Sequence, residues 1–158
     1  MQRVCPRGAT LSEIGQHRAV LRPRFHLAIP VTNLAECRSF YGDVLGFPEG
    51  RSADHWVDFN MFGHQLVIHV VPGGAGVLGT NPVDGDAVPV PHFGALLEVG
   101  DWHALAERLQ DAGTNFVIEP HVRFEGEPGE QHTMFFLDPS GNALEFKAFA
   151  NDADVFAK

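Results

Sequence analysis

The sequence predicts an α+β fold of two tandem βαβββ modules whose strands form a curled mixed sheet around a shared cavity. Three observations carry this. A short apolar strand with a histidine at its start occurs twice, at His26 and His92; a helix ending in glycine follows each, at Gly46 and Gly113; and each helix leads into strand-like runs turned at Gly63 and Gly141. These landmarks recur in the same order at a period where internal duplication is to be sought, with about 50 residues per copy. The 158 residues then divide into an extension at 1–23, expected to be mobile, a single domain at 24–149 and a tail at 150–158. Within the domain, module one spans 24–71, a linker 72–90 and module two 91–149.

Each element has a local cause. Phe25 to Val31 is an apolar run that stops at a turn, and Asn33 with Glu36 three residues on is a capping-box start for a helix. Leu34, Cys37, Tyr41, Val44 and Leu45 recur at helical spacing, and Gly46 ends the helix. His55 to Phe62 and Gln65 to Val71 read as two strands, with one further short strand between Gly46 and His55. The glycine- and proline-rich stretch Pro72 to Pro91 is expected to be a flexible connection. Module two repeats the order: a strand at His92 to Val99, a helix capped by Asp101 with Trp102, Leu105, Leu109 and Ala112 on one face, and a strand starting at Phe116 to Ile118. A long loop is expected at Glu119 to Gln131. Met134 to Leu137 and Ala143 to Phe149 then form a hairpin across Asp138-Pro139-Ser140-Gly141-Asn142.

Composition excludes several classes. With 11 Lys+Arg against 20 Asp+Glu and a net charge of -9, the chain lacks the basic face of a nucleic-acid binder. No apolar run approaches the ~18 residues of a membrane span. Two cysteines, Cys5 and Cys37, make no disulfide framework, which points to a reducing cytoplasm. Nine histidines beside so few cysteines suit a metal site of imidazole and carboxylate.

Strand alternation sorts the candidates. In the last strand Leu144, Phe146 and Ala148 are uniformly apolar and belong under the helices, which leaves Glu145 and Lys147 facing the cavity. In the equivalent strand of module one the cavity face carries Val67 and His69. Two first-strand histidines and one carboxylate, His26, His92 and Glu145, are the elements of a 2-His-1-carboxylate metal site. His17, His55, His64, His103 and His121 are expected at the surface or in turns. Gly74 to Gly79 matches G-x-G-x-x-G, but Thr80-Asn81-Pro82 follows, where a dinucleotide site needs a helix start.

The runs Phe25-His26-Leu27-Ala28-Ile29-Pro30-Val31, Phe40-Tyr41-Gly42-Asp43-Val44-Leu45-Gly46-Phe47 and Asp138-Pro139-Ser140-Gly141-Asn142-Ala143-Leu144-Glu145 resemble the vicinal oxygen chelate superfamily. That superfamily holds glyoxalases, bleomycin- and fosfomycin-resistance proteins and type I extradiol dioxygenases. The resemblance covers Arg24 to Phe149, and with Val90 to Gly94 and Glu127 to Glu130 it leans toward small bacterial extradiol-dioxygenase-like proteins. It implies His26, His92 and Glu145 as ligands of a divalent metal, Fe(II) foremost, with Mn, Zn or Ni as alternatives. Glyoxalases add a fourth ligand where this chain has Val67, so three ligands remain and positions stay open, as a dioxygenase requires. The implied reaction acts on a small, catechol-type substrate that chelates the metal through vicinal oxygens. His69 or His132 would move protons, Lys147 would attract an anionic substrate, and the protein would be a homodimer. Extradiol enzymes also place a tyrosine near the metal, whereas the one tyrosine here, Tyr41, falls on the buried face of the first helix. The alternatives are a glyoxalase- or fosfomycin-resistance-like isomerase or transferase and a metal-free drug-binding protein.

Overall fold

The computed structural model describes residues 23–156 except 75, 77 and 84. Apart from Pro23, the extension expected at 1–23 lies outside the described residues, as do the last two residues of the tail. Module one runs β1 (His26–Val31), α1 (Leu34–Ser39, continued by a π-helical turn over Phe40–Val44), β2 (Glu49–Ala53), β3 (Trp56–Met61) and β4 (His64–Val70). The connection holds β5 (Gly79–Val83) and β6 (Asp86–Val90). Module two runs β7 (His92–Leu96), α2 (Val99–Asp111), β8 (Phe116–Arg123), β9 (Gln131–Leu137) and β10 (Ala143–Phe149). The four-stranded sheets are ordered β1-β4-β3-β2 and β7-β10-β9-β8. In each the module's first strand lies parallel to its last and the other neighbours are antiparallel. This is the expected mixed α+β duplication, built as two open sheets.

The helix starts follow local chemistry. Asn33 Oδ1 accepts from the amides of Ala35 and Glu36, filling donors that a helix start leaves unpaired. Gly46 and Gly113, after the two helices, both have positive φ, 74° and 69°. Leu66, Ile68, Leu144, Phe146 and Ala148 turn under the helices as alternation requires, and one core joins them to Tyr41, Trp102, Leu109 and Phe136. Trp102 Nε1 donates to the Phe146 carbonyl at 2.9 Å, tying α2 to β10.

The modules meet at a polar knot. Asp138, 4% exposed, opens the β9–β10 turn, and its Oδ1 accepts from the amides of Ser140 and Asn142 at 2.8 Å. Its Oδ2 accepts from Tyr41 Oη at 2.8 Å and from Asn142 Nδ2 at 2.7 Å. Asn142 Nδ2 also donates to the Pro30 carbonyl at 2.9 Å, and Ser140 Oγ accepts from the Thr32 amide at 2.9 Å. The start of β10 is thereby held at the end of β1. Burial, and then the Asp138 carboxylate, push the Tyr41 phenol well above its ordinary pKa, so it stays a donor.

Four sequence expectations shift. The connection is not a plain linker: it contains the β5–β6 hairpin, with Pro82 and Pro89 inside its strands. β7 ends at Leu96 rather than Val99, because Val99 begins α2, whose N-cap is Glu98; Asp101 sits in the first turn, where an acid favours the helix dipole. β8 continues to Arg123, passing Pro120 by register shifts, and β9 begins at Gln131, so the expected long loop contracts to residues 124–130. The first helix changes to π-helical hydrogen bonding at Phe40.

Replacing Tyr41 by Phe removes one donor from a buried carboxylate. Its expected cost is about 1–3 kcal/mol of unfolding free energy, measured by urea denaturation; an unchanged midpoint and slope would show that the knot does not bear on stability.

Candidate functional site

The concave faces of the two sheets are built from equivalent positions. Register sets His26 beside Gln65 in module one and His92 beside Ala143 in module two, so Val67 occupies in β4 the place that Glu145 occupies in β10, and His69 that of Lys147. Module two carries the charged centre. Glu145 is 8% exposed. Its Oε1 accepts from Thr133 Oγ1 at 2.9 Å and lies 3.1 Å from Lys147 Nζ, while its Oε2 lies 3.1 Å from His92 Nε2.

The His92 contact has a specific electrostatic meaning. His92 Nδ1 is 2.7 Å from the Pro89 carbonyl, which can only accept, so Nδ1 carries a proton. Neutral His92 therefore turns a lone pair toward the carboxylate. Two acceptors at that distance require a cation, either a proton on Nε2 or a metal ion. Two donors each 2.0–2.2 Å from one metal at a right angle stand about 3 Å apart, so this spacing fits adjacent ligands. A histidine held through its other nitrogen by a backbone carbonyl is also the usual outer support of a metal ligand.

His26 is held in a comparable way but elsewhere. Its Nδ1 donates to Gln65 Oε1 at 2.8 Å, Gln65 Nε2 donates to Asp58 Oδ2 at 3.0 Å, and Asp58 in turn accepts from the Arg51 amide and guanidinium. This relay lines a pocket of about 390 Å³ with His64 and Asn60, whereas His92, Glu145 and Lys147 line another of about 260 Å³ with Gly94 and Leu96. The two histidines stand on separate sheets. Pro30 shares a cavity with Pro91 and His92, while Phe25 and Leu27 share another with Phe93 and Gly94. Among the described residues no group of three or more His, Cys, Asp or Glu side chains is placed to hold a metal ion. The expected shared cavity is divided within one chain into two half-sites.

The remaining candidates fall as follows. His69 is exposed on module one's concave face, its ring 6.4 Å from that of Trp56. His132 does not join the centre: its neighbour Thr133 bonds Glu145, so alternation turns His132 to the helix side, against Trp102 and His103 at ring distances of 5.1 and 5.0 Å. Lys147 is held by Glu145 rather than free in the cavity. Tyr41 is committed to Asp138. Sequence reading missed Thr133, which faces Lys147 across β9–β10, and Pro89, Gln65 and Asp58, which orient the histidines. Alternation from Glu145 would have found Thr133; the others depend on pairings between distant strands.

Close approach of β7 and β10 depends on Gly94, where a Cβ would meet the Glu145 carbonyl oxygen at 1.5 Å. Gly94→Ala is expected to lower stability by about 3 kcal/mol or more, read by thermal or urea unfolding, and a near-native stability would contradict this packing. His132 gives a pH effect. Its Nδ1 is buried without a hydrogen-bond partner, and burial, then His103, hold its pKa below the ordinary 6.5, Glu130 opposing. A histidine with a lowered folded-state pKa binds its proton more readily when unfolded, so stability is lost as pH falls below about 6.5. His132→Phe is expected to flatten the urea midpoint against pH in that window; an unaltered slope would assign the acid sensitivity to other groups.

Comparisons with known proteins identify the family and the fold. The family model described as glyoxalase/bleomycin resistance protein/dioxygenase superfamily matches residues 25–146. A glyoxalase/bleomycin resistance protein/dioxygenase from Alicyclobacillus acidocaldarius is 31% identical, with a TM-score of 0.70 over 85% of this chain and 96% of that one. A fosfomycin resistance protein from Listeria monocytogenes (14% identity, TM-score 0.61, 85% and 98% covered) and a glyoxalase/dioxygenase from Nostoc punctiforme (16%, 0.61, 85% and 99%) share the fold. No curated protein matches the sequence. No helix among the described residues is long and apolar enough to cross a membrane. The duplicated module, its matching span and the Alicyclobacillus relative together establish that the chain belongs to the glyoxalase/bleomycin resistance protein/dioxygenase superfamily.

Proposed function

We propose that this protein is a divalent-metal enzyme of the extradiol-dioxygenase type, acting on a small substrate that chelates the metal through vicinal oxygens. The observation that carries the reading is the opposition of His92 Nε2 to Glu145 Oε2 at 3.1 Å with Nδ1 already committed to Pro89. His92 and Glu145 would hold the metal through those two atoms, and His26 of a second copy would supply the third donor in a homodimer. Val67 offers no further ligand, so positions stay open. The bound metal would supply Lewis acidity that lowers the pKa of a chelated hydroxyl and, as Fe(II), a redox path by which electrons of the chelated substrate reach dioxygen.

The chain's own groups then have defined work. Thr133 and Lys147 hold Glu145 Oε1, which leaves Oε2 directed at His92 and places a positive charge beside an incoming anionic oxygen. Brought over by the second copy on the sheet face that carries Val67, His69 would be an imidazole available for moving a substrate proton.

Anaerobic loading with Fe(II), followed by metal analysis and oxygen uptake on a catechol panel, is expected to show a bound metal and oxygen consumption, both lost in His92→Ala and Glu145→Gln. Metal binding with turnover of a thiol cosubstrate and no oxygen uptake would replace the reading by a glyoxalase- or fosfomycin-resistance-like one. Ligand binding that survives His92→Ala without metal would replace it by sequestration. Mixing inactive His26→Ala and His92→Ala chains is expected to restore activity, because one site of each mixed dimer is intact; no recovery would overturn pairing between copies.

A further inference from the structure

The β5–β6 hairpin stands where the duplication is broken. In module one the imidazole of His26 is oriented from within its own sheet by Gln65, itself held by Asp58 and Arg51. The equivalent position in module two is Ala143, which offers His92 nothing. The orienting acceptor is supplied instead by the Pro89 carbonyl of β6.

That carbonyl is only as fixed as the hairpin. Its root is closed by the Leu78 amide donating to the Val90 carbonyl at 2.9 Å, and Val88 packs on Ile118 and on Phe135, whose ring also meets the His92 ring at 5.2 Å. The other end is latched by charge. Asp86 Oδ2 lies 3.5 Å from Arg123 Nη2, and the same Nη2 donates to the Val83 carbonyl at 3.0 Å, so one guanidinium holds both hairpin strands to β8. Arg123 is 11% exposed and Asp86 33%, so the pair is partly shielded from solvent. His121 Nε2 lies 3.8 Å from the same carboxylate oxygen, beyond hydrogen-bond distance, and its Nδ1 donates to the Glu119 carbonyl, so Arg123 is the nearer partner of Asp86.

We propose that Asp86 and Arg123 are positioning residues: by latching the β5–β6 hairpin to β8 they keep the Pro89 carbonyl on His92 Nδ1 and so direct His92 Nε2 at Glu145. The latch itself does not depend on a metal; its consequence for metal affinity rests on the function proposed above. Module two thus obtains through a hairpin and an ion pair what module one obtains through Gln65 and Asp58.

The test reads the His92 ring directly in metal-free protein. Proton NMR is expected to show a solvent-protected Nδ1–H resonance, identified by its absence in His92→Gln. Asp86→Asn should broaden or remove it in a protein that remains folded by circular dichroism, and Arg123→Lys, which keeps the charge but loses the fork, should have a smaller effect in the same direction. Titration with Co(II) should then show affinity reduced about tenfold in Asp86→Asn, as for other outer supports of metal ligands. A resonance unchanged in both variants overturns the proposal whatever the metal affinity. A role confined to stability would lower the melting temperature in both variants and leave the resonance intact, which also overturns it. If the wild-type protein binds no Co(II), the metal reading fails by itself, and the resonance still decides the latch.

Discussion

The rest of the structure depends on the buried carboxylate of Asp138. Carboxylates are rarely this deeply buried unless fully hydrogen-bonded, and this one accepts from two backbone amides, an asparagine and the only tyrosine of the chain. Each donor comes from a different task. The amides shape the β9–β10 turn, Asn142 reaches the end of β1, and Tyr41 brings in the first helix. A single group therefore sets the turn that launches Glu145 and the relation of that turn to the strand bearing His26. Cys37 joins the same cluster through Ser140 Oγ at 3.2 Å, and burial pushes its thiol upward, consistent with a packing role.

This joint decides what one chain can and cannot assemble. It holds the beginning of β10, and with it β7, against the end of β1. The two histidine-bearing strands belong to separate sheets, and His26 and His92 line different pockets. Duplication alone suggests convergence of His26 and His92; duplication with this joint produces divergence. The half-sites are also chemically unequal. Module two holds the carboxylate, its hydroxyl and its ammonium, whereas module one presents an imidazole backed by an amide and a buried aspartate.

Much of the fold is legible in the residues because local signals and packing agree. Asn33 with Glu36 gives the first helix start, Asp138 to Asn142 gives the last hairpin, and the uniformly apolar set Leu144, Phe146 and Ala148 fixes which face of β10 carries Glu145. The misread parts are those where local signals oppose the outcome. Pro82 and Pro89 argue against strands, yet they lie in a two-stranded ribbon that leaves edge positions for them. Pro120 hides the extension of β8, which register shifts accommodate. The face of His132 is set by a cross-strand register rather than by any local signal: with β9 beginning at Gln131, its pairing with Ala148 puts it on the apolar side.

The contrast between the two imidazoles explains why the connection between modules is structured at all. A plain linker would suffice to join two self-contained copies. Here the second copy lacks its own orienting group, since Ala143 replaces Gln65, and a histidine rotating freely about its side-chain bonds would present either nitrogen to Glu145. Fixing Nδ1 removes that choice, and the Pro89 carbonyl, from outside the sheet, does so. The residues between the modules are thus constrained by the site they flank: Val88 must pack on Phe135, and Asp86 must meet Arg123, for Pro89 to stand where His92 needs it.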